Sequence, residues 1–252
     1  MSVLAAVFAT IINFFAALLF GMLGVGAAPV FIPTIEGLGY GIATTVFPLA
    51  VLLNGINSGF ALIPFARARN VDWNRGTVLS VIAAVFAFTG AYFAADIPAR
   101  TLLYFLAAVL ILLSAWTFAR VKREGNSGNP SGRKVTLIAF PASIFAGFVG
   151  GLLAIGGGGL LVPFLMISGY NTKNAAGTTA LVATVASAGG FLGFLTHGFI
   201  PLNLLLYSTI AIAIASILGA WFSIRLAKPS WLRLLLGLIL LASALKIAVT
   251  LI

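Results

Sequence analysis

The sequence predicts an all-α, multi-pass membrane protein built from two inverted repeats of about 130 residues, with eight long transmembrane helices and two short broken or re-entrant segments. Three observations carry this expectation. Apolar runs long enough to span a bilayer recur from end to end, a glycine- and proline-broken segment occurs twice at corresponding places, and the cations gather in a few short loops.

Of the 252 residues, 62% are hydrophobic and only 7% are charged, where a soluble domain carries roughly 25% charged residues. Mean hydropathy is +1.18. No polar stretch is long enough to fold as a separate soluble domain, so residues 1–252 read as a single transmembrane domain. Repeat 1 covers about 1–120, a cytoplasmic linker covers 121–134, and repeat 2 covers about 135–252. The N-terminus, MSVLAAVFATIINFFAALLF, lacks the basic start and the cleavage site of a signal peptide and is expected to be a retained first span.

The long apolar segments fall at about 3–22, 41–65, 77–95, 101–119, 135–155, 174–196, 203–224 and 231–251. Two shorter pieces, about 26–38 and 156–169, reach only ~22 Å as helices, short of the ~30 Å hydrocarbon core. The later piece sits in the most unusual stretch of the chain, where four glycines, Gly156 to Gly159, precede Val162 and Pro163. Each glycine replacing alanine costs a helix interior roughly 1 kcal/mol, and a proline about 3. A straight helix is therefore not expected here. Non-helical backbone at membrane depth is tolerated where it is buried in protein or lines a cavity, and a pair of interrupted segments points to a transporter's binding site.

The halves correspond beyond this feature. Pro33, Gly39 and Tyr40 answer to Pro163, Gly169 and Tyr170 at a constant offset; Thr44 and Thr45 answer to Thr178 and Thr179 after a four-residue shift. TGAYFAADIPARTLLYFLAAVLILLSA from Thr89 parallels LGAWFSIRLAKPSWLRLLLGLILLASA from Leu218.

The net charge of +10 would suit a nucleic-acid partner if it were spread over one face, but its distribution follows the positive-inside rule. Arg67, Arg69 and Arg75 mark one loop; Arg120, Lys122, Arg123, Arg133 and Lys134 a second; Arg225, Lys228 and Arg233 a third. These three are expected to face the cytoplasm of a cell-membrane protein, and the nearly neutral loops at Asp96–Arg100 and His197–Asn203 to face outward. Corresponding loops then carry opposite charge bias, so repeat 2 is inverted, provided each short broken piece counts as a crossing. The linker KREGNSGNPSGRK joins the halves flexibly.

An anion can be held without a charged side chain by backbone N–H groups at a helix start, aided by the helix dipole. Gly156, Gly157, Gly158 and Gly159, with Gly24 and Gly26 in the first copy, are therefore the expected substrate-binding backbone, since glycine lets a ligand approach closely. Close helix packing is the alternative use of such glycines. Thr44, Thr45, Thr178 and Thr179 offer hydroxyls to a ligand or to helix caps. Asn54 and Asn57, three apart, share a helix face that looks into a cavity or bonds to a neighbouring helix. Glu36 is the only acid in the broken regions, a candidate coupling group or an interfacial anchor. Lys173 reads as a topological anchor, and His197 as a solvated outer residue. With no cysteine, one histidine and four acids, neither a thiol nor an ordinary zinc site can assemble. No cofactor or metal is called for. Catalytic residues are not expected either, because a serine and a base deep in the bilayer would have to meet.

The motif GGLLAIGGGGLLVPFLMISGYNTKNAAGTTALVA, its degenerate first copy GVGAAPVFIPTIEGLGYGIATTVFPLAVLLN, and the Asn70-Val71-Asp72-Trp73 loop resemble the TauE/SafE-type sulfite exporter family over nearly the whole chain. The first copy departs from the family's glycine run with Gly26-Ala27-Ala28-Pro29. The resemblance implies a secondary transporter, not an enzyme, for small sulfur-containing anions such as sulfite, sulfoacetate or related organosulfonates, working at a central site between two glycine-broken helices. The alternatives are a non-transporting membrane partner of a soluble sulfur-metabolism enzyme and, last, an intramembrane enzyme using His197. Expected partners are the small anion and the lipid bilayer, with a homo-oligomer possible and no nucleic acid.

Overall fold

The computed structural model describes residues 3–94, 96–119, 132–195, 200–226 and 229–251. Ten helices follow one another within them: α1 Val3–Gly21, α2 Ala28–Glu36, α3 Ile42–Arg67, α4 Trp73–Ala94, α5 Ala99–Ala119, α6 Gly132–Leu152, α7 Gly158–Ile167, α8 Thr172–Phe194, α9 Leu202–Arg225 and α10 Pro229–Leu251. Each half thus runs long, short, long, long, long. The two short helices lie where the glycine-broken pieces were expected.

Six helices (α3, α4, α5, α6, α8 and α9) are long and apolar enough to cross a membrane. Among the described residues α1 and α10 contribute shorter apolar runs, Phe8–Gly21 and Gly237–Val249, so length and composition there support six of the eight expected spans. His197 and most of the expected linker lie outside the described residues, although Gly132–Lys134 already begins α6.

The core is made by helices of opposite halves. α3 and α8 cross at the centre, α4 packs on α6 and α8, α9 packs on α1 and α3, and α5 pairs with α10. Small residues permit this closeness: a Cβ on Gly151 of α6 would stand 2.1 Å from the Ala87 carbonyl oxygen of α4, which is helix packing of the small-residue type. The outside is apolar, with Phe105, Leu112, Leu206 and Tyr207 exposed, while Asn54, Asn57, Ser187 and Ser216 are buried. Apolar surface turned outward over a polar seam is the arrangement a hydrocarbon solvent selects.

Both α3 and α6 contain a wide, π-type turn, Ile42–Val46 and Val135–Ala139, immediately before a Phe-Pro pair. Proline lacks an N–H and its ring crowds the carbonyl four residues back; widening the turn opens the ladder where the ring would collide.

Candidate functional site

α1 and α6 each end in a turn that hands the chain to a short helix. In the first break Gly24 and Gly26 have φ of +64° and +75°; in the second, Ala154 and Gly156 have +57° and +68°. These are counterpart positions at the repeat offset, so the two turns start with the same backbone course. They diverge at the next residue. Ala27 has φ −106°, whereas Gly157 sits in the left-handed region at +67°, which an L side chain enters only with strain.

That divergence decides which backbone donors remain. A helix start leaves its first N–H groups without partners inside the helix. In α2 they are consumed: Ala28 N donates to Asn54 Oδ1 at 2.9 Å, Pro29 has no N–H, and the N–H groups of Val30 and Phe31 both reach the Ala27 carbonyl at 3.0 Å. In α7, Gly158 N is turned back to the Gly156 carbonyl at 2.8 Å. Gly159 and Leu160 have no hydrogen-bond partner for their N–H among the described residues. Gly157, rotated into left-handed geometry, does not present its carbonyl to them as Ala27 does to Val30.

Both breaks lean on one side-chain pair. Asn54 of α3 donates through Nδ2 to Ser187 Oγ of α8 at 3.0 Å, at the crossing of the two central helices. A Cβ on Gly26 would lie 2.2 Å from Asn54 Oδ1, and one on Gly156 would lie 2.3 Å from Ser187 Oγ and 2.4 Å from Asn54 Nδ2. Glycine is required at both places because the backbone rests against this amide and hydroxyl. Asn57, one turn along, is placed differently: its Nδ2 donates to Ala17 O at 3.0 Å and Ser216 Oγ at 2.6 Å, tying α1 and α9 to α3.

Between α2 and α7 lies a small cavity of about 50 Å³ whose walls include Gly26, Pro29, Gly159 and Pro163, with Phe20 and Trp116 beside them. It is largely apolar, so an anion there would be held by few donors. Gly159 is on its wall.

The threonines are dispersed. Thr179 lies against the second break, its methyl 3.3 Å from where a Cβ on Gly158 would stand, and its buried hydroxyl has no hydrogen-bond partner among the described residues. Thr178 accepts a hydrogen bond from Asp72 N at 3.1 Å and anchors the α3–α4 loop. Thr44 and Thr45 belong to the wide turn at the start of α3, Thr44 exposed and Thr45 buried. Asp72 also accepts from the Tyr170 hydroxyl at 2.8 Å and pairs with Arg75 at 3.6 Å. Burial, and then the bond to Asp72, push the Tyr170 phenol up to about 12, so it remains a donor. Glu36 closes α2 within electrostatic reach of Lys246 on α10. Reading the sequence missed Ser187 and Lys246. The first is a small hydroxyl residue in an alanine- and glycine-rich segment; the second is a lone cation in an apolar segment.

Residues 9–247 match the family model described as sulfite exporter TauE/SafE. A probable membrane transporter protein of Methanocaldococcus jannaschii is 22% identical over 249 residues, covering 91% of this chain and 90% of that one. Another, of Bacillus subtilis, is 30% identical over 169 residues, 64% of this chain and 67% of its own; one of Sinorhizobium fredii is 26% identical, covering 79% and 81%. No solved structure gave a significant match. With its apolar helices and a family match over nearly its full length, the chain belongs to the sulfite exporter TauE/SafE family of multi-pass membrane transporters.

Proposed function

We propose that the protein moves a small sulfur oxyanion, such as sulfite or a short organosulfonate, through the cavity between α2 and α7, and that the start of α7 is where the anion binds. One observation carries this reading: among the described residues the N–H groups of Gly159 and Leu160 have no partner, and Gly159 lies on the cavity wall. An oxyanion would accept from both and would sit at the positive end of the α7 dipole. Asn54 and Ser187 hold the two breaks in place, and the Thr179 hydroxyl is a further donor within the same region.

The two halves act as inverted repeats in this reading. Supporting it are the matching order of five helices per half and the reciprocal packing of α4 on α6 and α8 and of α9 on α1 and α3. The opposed loop charges fit the same arrangement. Transport is tested with purified protein in liposomes, following sulfite, sulfoacetate and sulfate separately. Flux of sulfite or the sulfonate is expected. If none of the three moves while the protein is folded and correctly inserted, the anion reading is wrong.

A further inference from the structure

The two short helices are covered unequally. α10 lies across α2, and Lys246 Nζ of α10 donates to the carbonyl oxygen of Pro33, with Glu36 in electrostatic reach. A cation at the C-terminal end of a helix satisfies a carbonyl and meets the negative end of the dipole. α7 has no such cover. α5, the repeat counterpart of α10, makes no comparable packing against it among the described residues. Instead a groove of about 370 Å³ separates them, walled by Leu112, Leu113 and Trp116 on one side and by Pro163, Phe164 and Ile167 on the other. The position of α5 that answers to Lys246 is Thr117, whose hydroxyl bonds to Leu113 O of its own helix at 2.6 Å.

The groove and the central cavity share Leu113, Trp116 and Pro163. The cavity is therefore closed over α2 and leads into an apolar opening beside α7. α5 and α10 are themselves joined, since Ser114 Oγ donates to Gly237 O at 2.9 Å and the Phe118 ring fits against Gly237. A movement that lifts α10 from α2 would carry α5 with it.

We propose that Lys246 is a positioning residue, a latch that holds the α5–α10 pair over α2, and that releasing it lets α5 swing into the groove against α7. The groove is then the seat that α5 fills in the opposite state, and the exchange of covers is the gating movement of the transporter. As a gate the proposal rests on the transport reading above, but the movement itself does not.

Because the chain contains no cysteine, paired cysteines can report the movement directly. Leu112→Cys on α5 and Ile167→Cys on α7 stand exposed on opposite walls of the groove. In lipid, oxidation should cross-link this pair slowly with Lys246 present. Lys246→Met should raise the cross-linking rate about fivefold or more, the change expected when a bias of ordinary allosteric size is removed. Lys246→Arg, which keeps the donor and the charge, should leave it slow. Lys246→Gln repeats the test should the methionine variant fold poorly. An unchanged rate in whichever of these two variants is monodisperse would overturn the latch, whatever the protein transports. Accelerated cross-linking without flux of any tested anion would instead leave the latch standing and contradict the substrate reading.

Discussion

The two breaks share a course over two positions and part at a third, and that one residue separates a filled helix start from an open one. At Ala27 the chain keeps a negative φ and lends its carbonyl to Val30 and Phe31. At Gly157 it turns left-handed, and the N–H groups of Gly159 and Leu160 have no partner among the described residues. Pro29, the counterpart of Gly159, removes even the donor that symmetry would have supplied. The two breaks thus follow the same backbone course over two positions yet differ in the donors they leave, and the lesson is that likeness of backbone does not imply likeness of its donors.

The largest effect expected in breaking this comparison is steric. Gly157→Ala forces a Cβ to within 2.5 Å of the Ala146 carbonyl oxygen at a φ of +67°, so this variant should yield little monodisperse protein on size exclusion. Gly159→Ala meets nothing nearer than Val25 Cβ at 3.8 Å and should purify normally. Equal yields of the two would show that the left-handed turn is not built as described.

Next in size is the shared support. Asn54→Leu leaves the Ala28 N–H and the Ser187 hydroxyl without partners and adds bulk where both breaks press, so thermal unfolding should reveal a loss of about 1–3 kcal/mol for each stranded group. Ser187→Ala strands only the Asn54 amide and should cost less. If Ser187→Ala is the more damaging of the two, Asn54 is not the joint between the breaks.

The smallest effect lies away from the centre. Tyr170→Phe removes the bond to Asp72, worth about 1.5–3 kcal/mol for a hydrogen bond to a charged group and less where it is partly solvated. The phenol is raised to about 12 from about 10 in an unfolded chain. A raised acid group favours folding while it stays protonated, so this stabilisation is complete below pH about 10 and is lost as pH climbs through about 12. Wild type and Tyr170→Phe should therefore differ by the same amount at about pH 6 and about pH 9. A gap that closes between them would mean that the phenol ionises far lower.

Much of this fold is readable from residues alone. The apolar runs locate all ten helices, and glycine with proline locates both interruptions, because helix formation in an apolar chain is governed by local propensity and length. The lopsidedness is legible too, in Gly26-Ala27-Ala28-Pro29 set against Gly156 to Gly159. What is not legible is which polar groups meet. Asn54 reaches Ser187 across 133 positions of chain, and no local pattern encodes that contact. The paired threonines look alike in sequence, yet Thr178 serves a loop and Thr179 lies beside the break. Lys246 looks like a stray charge until α10 is seen to lie across α2.

In the proposed function the N–H groups of Gly159 and Leu160 at the start of α7 bind the anion, and exchanging the residues of the two breaks tests this most directly. Gly159→Pro deletes one N–H in the first turn of a helix, where proline is tolerated and where α2 already carries it; Pro29→Gly is its reverse. Sulfite flux into proteoliposomes should fall about tenfold or more for Gly159→Pro, the loss of one charge-assisted hydrogen bond, with unchanged elution and little change for Pro29→Gly. Wild-type flux from a folded Gly159→Pro protein would contradict the account.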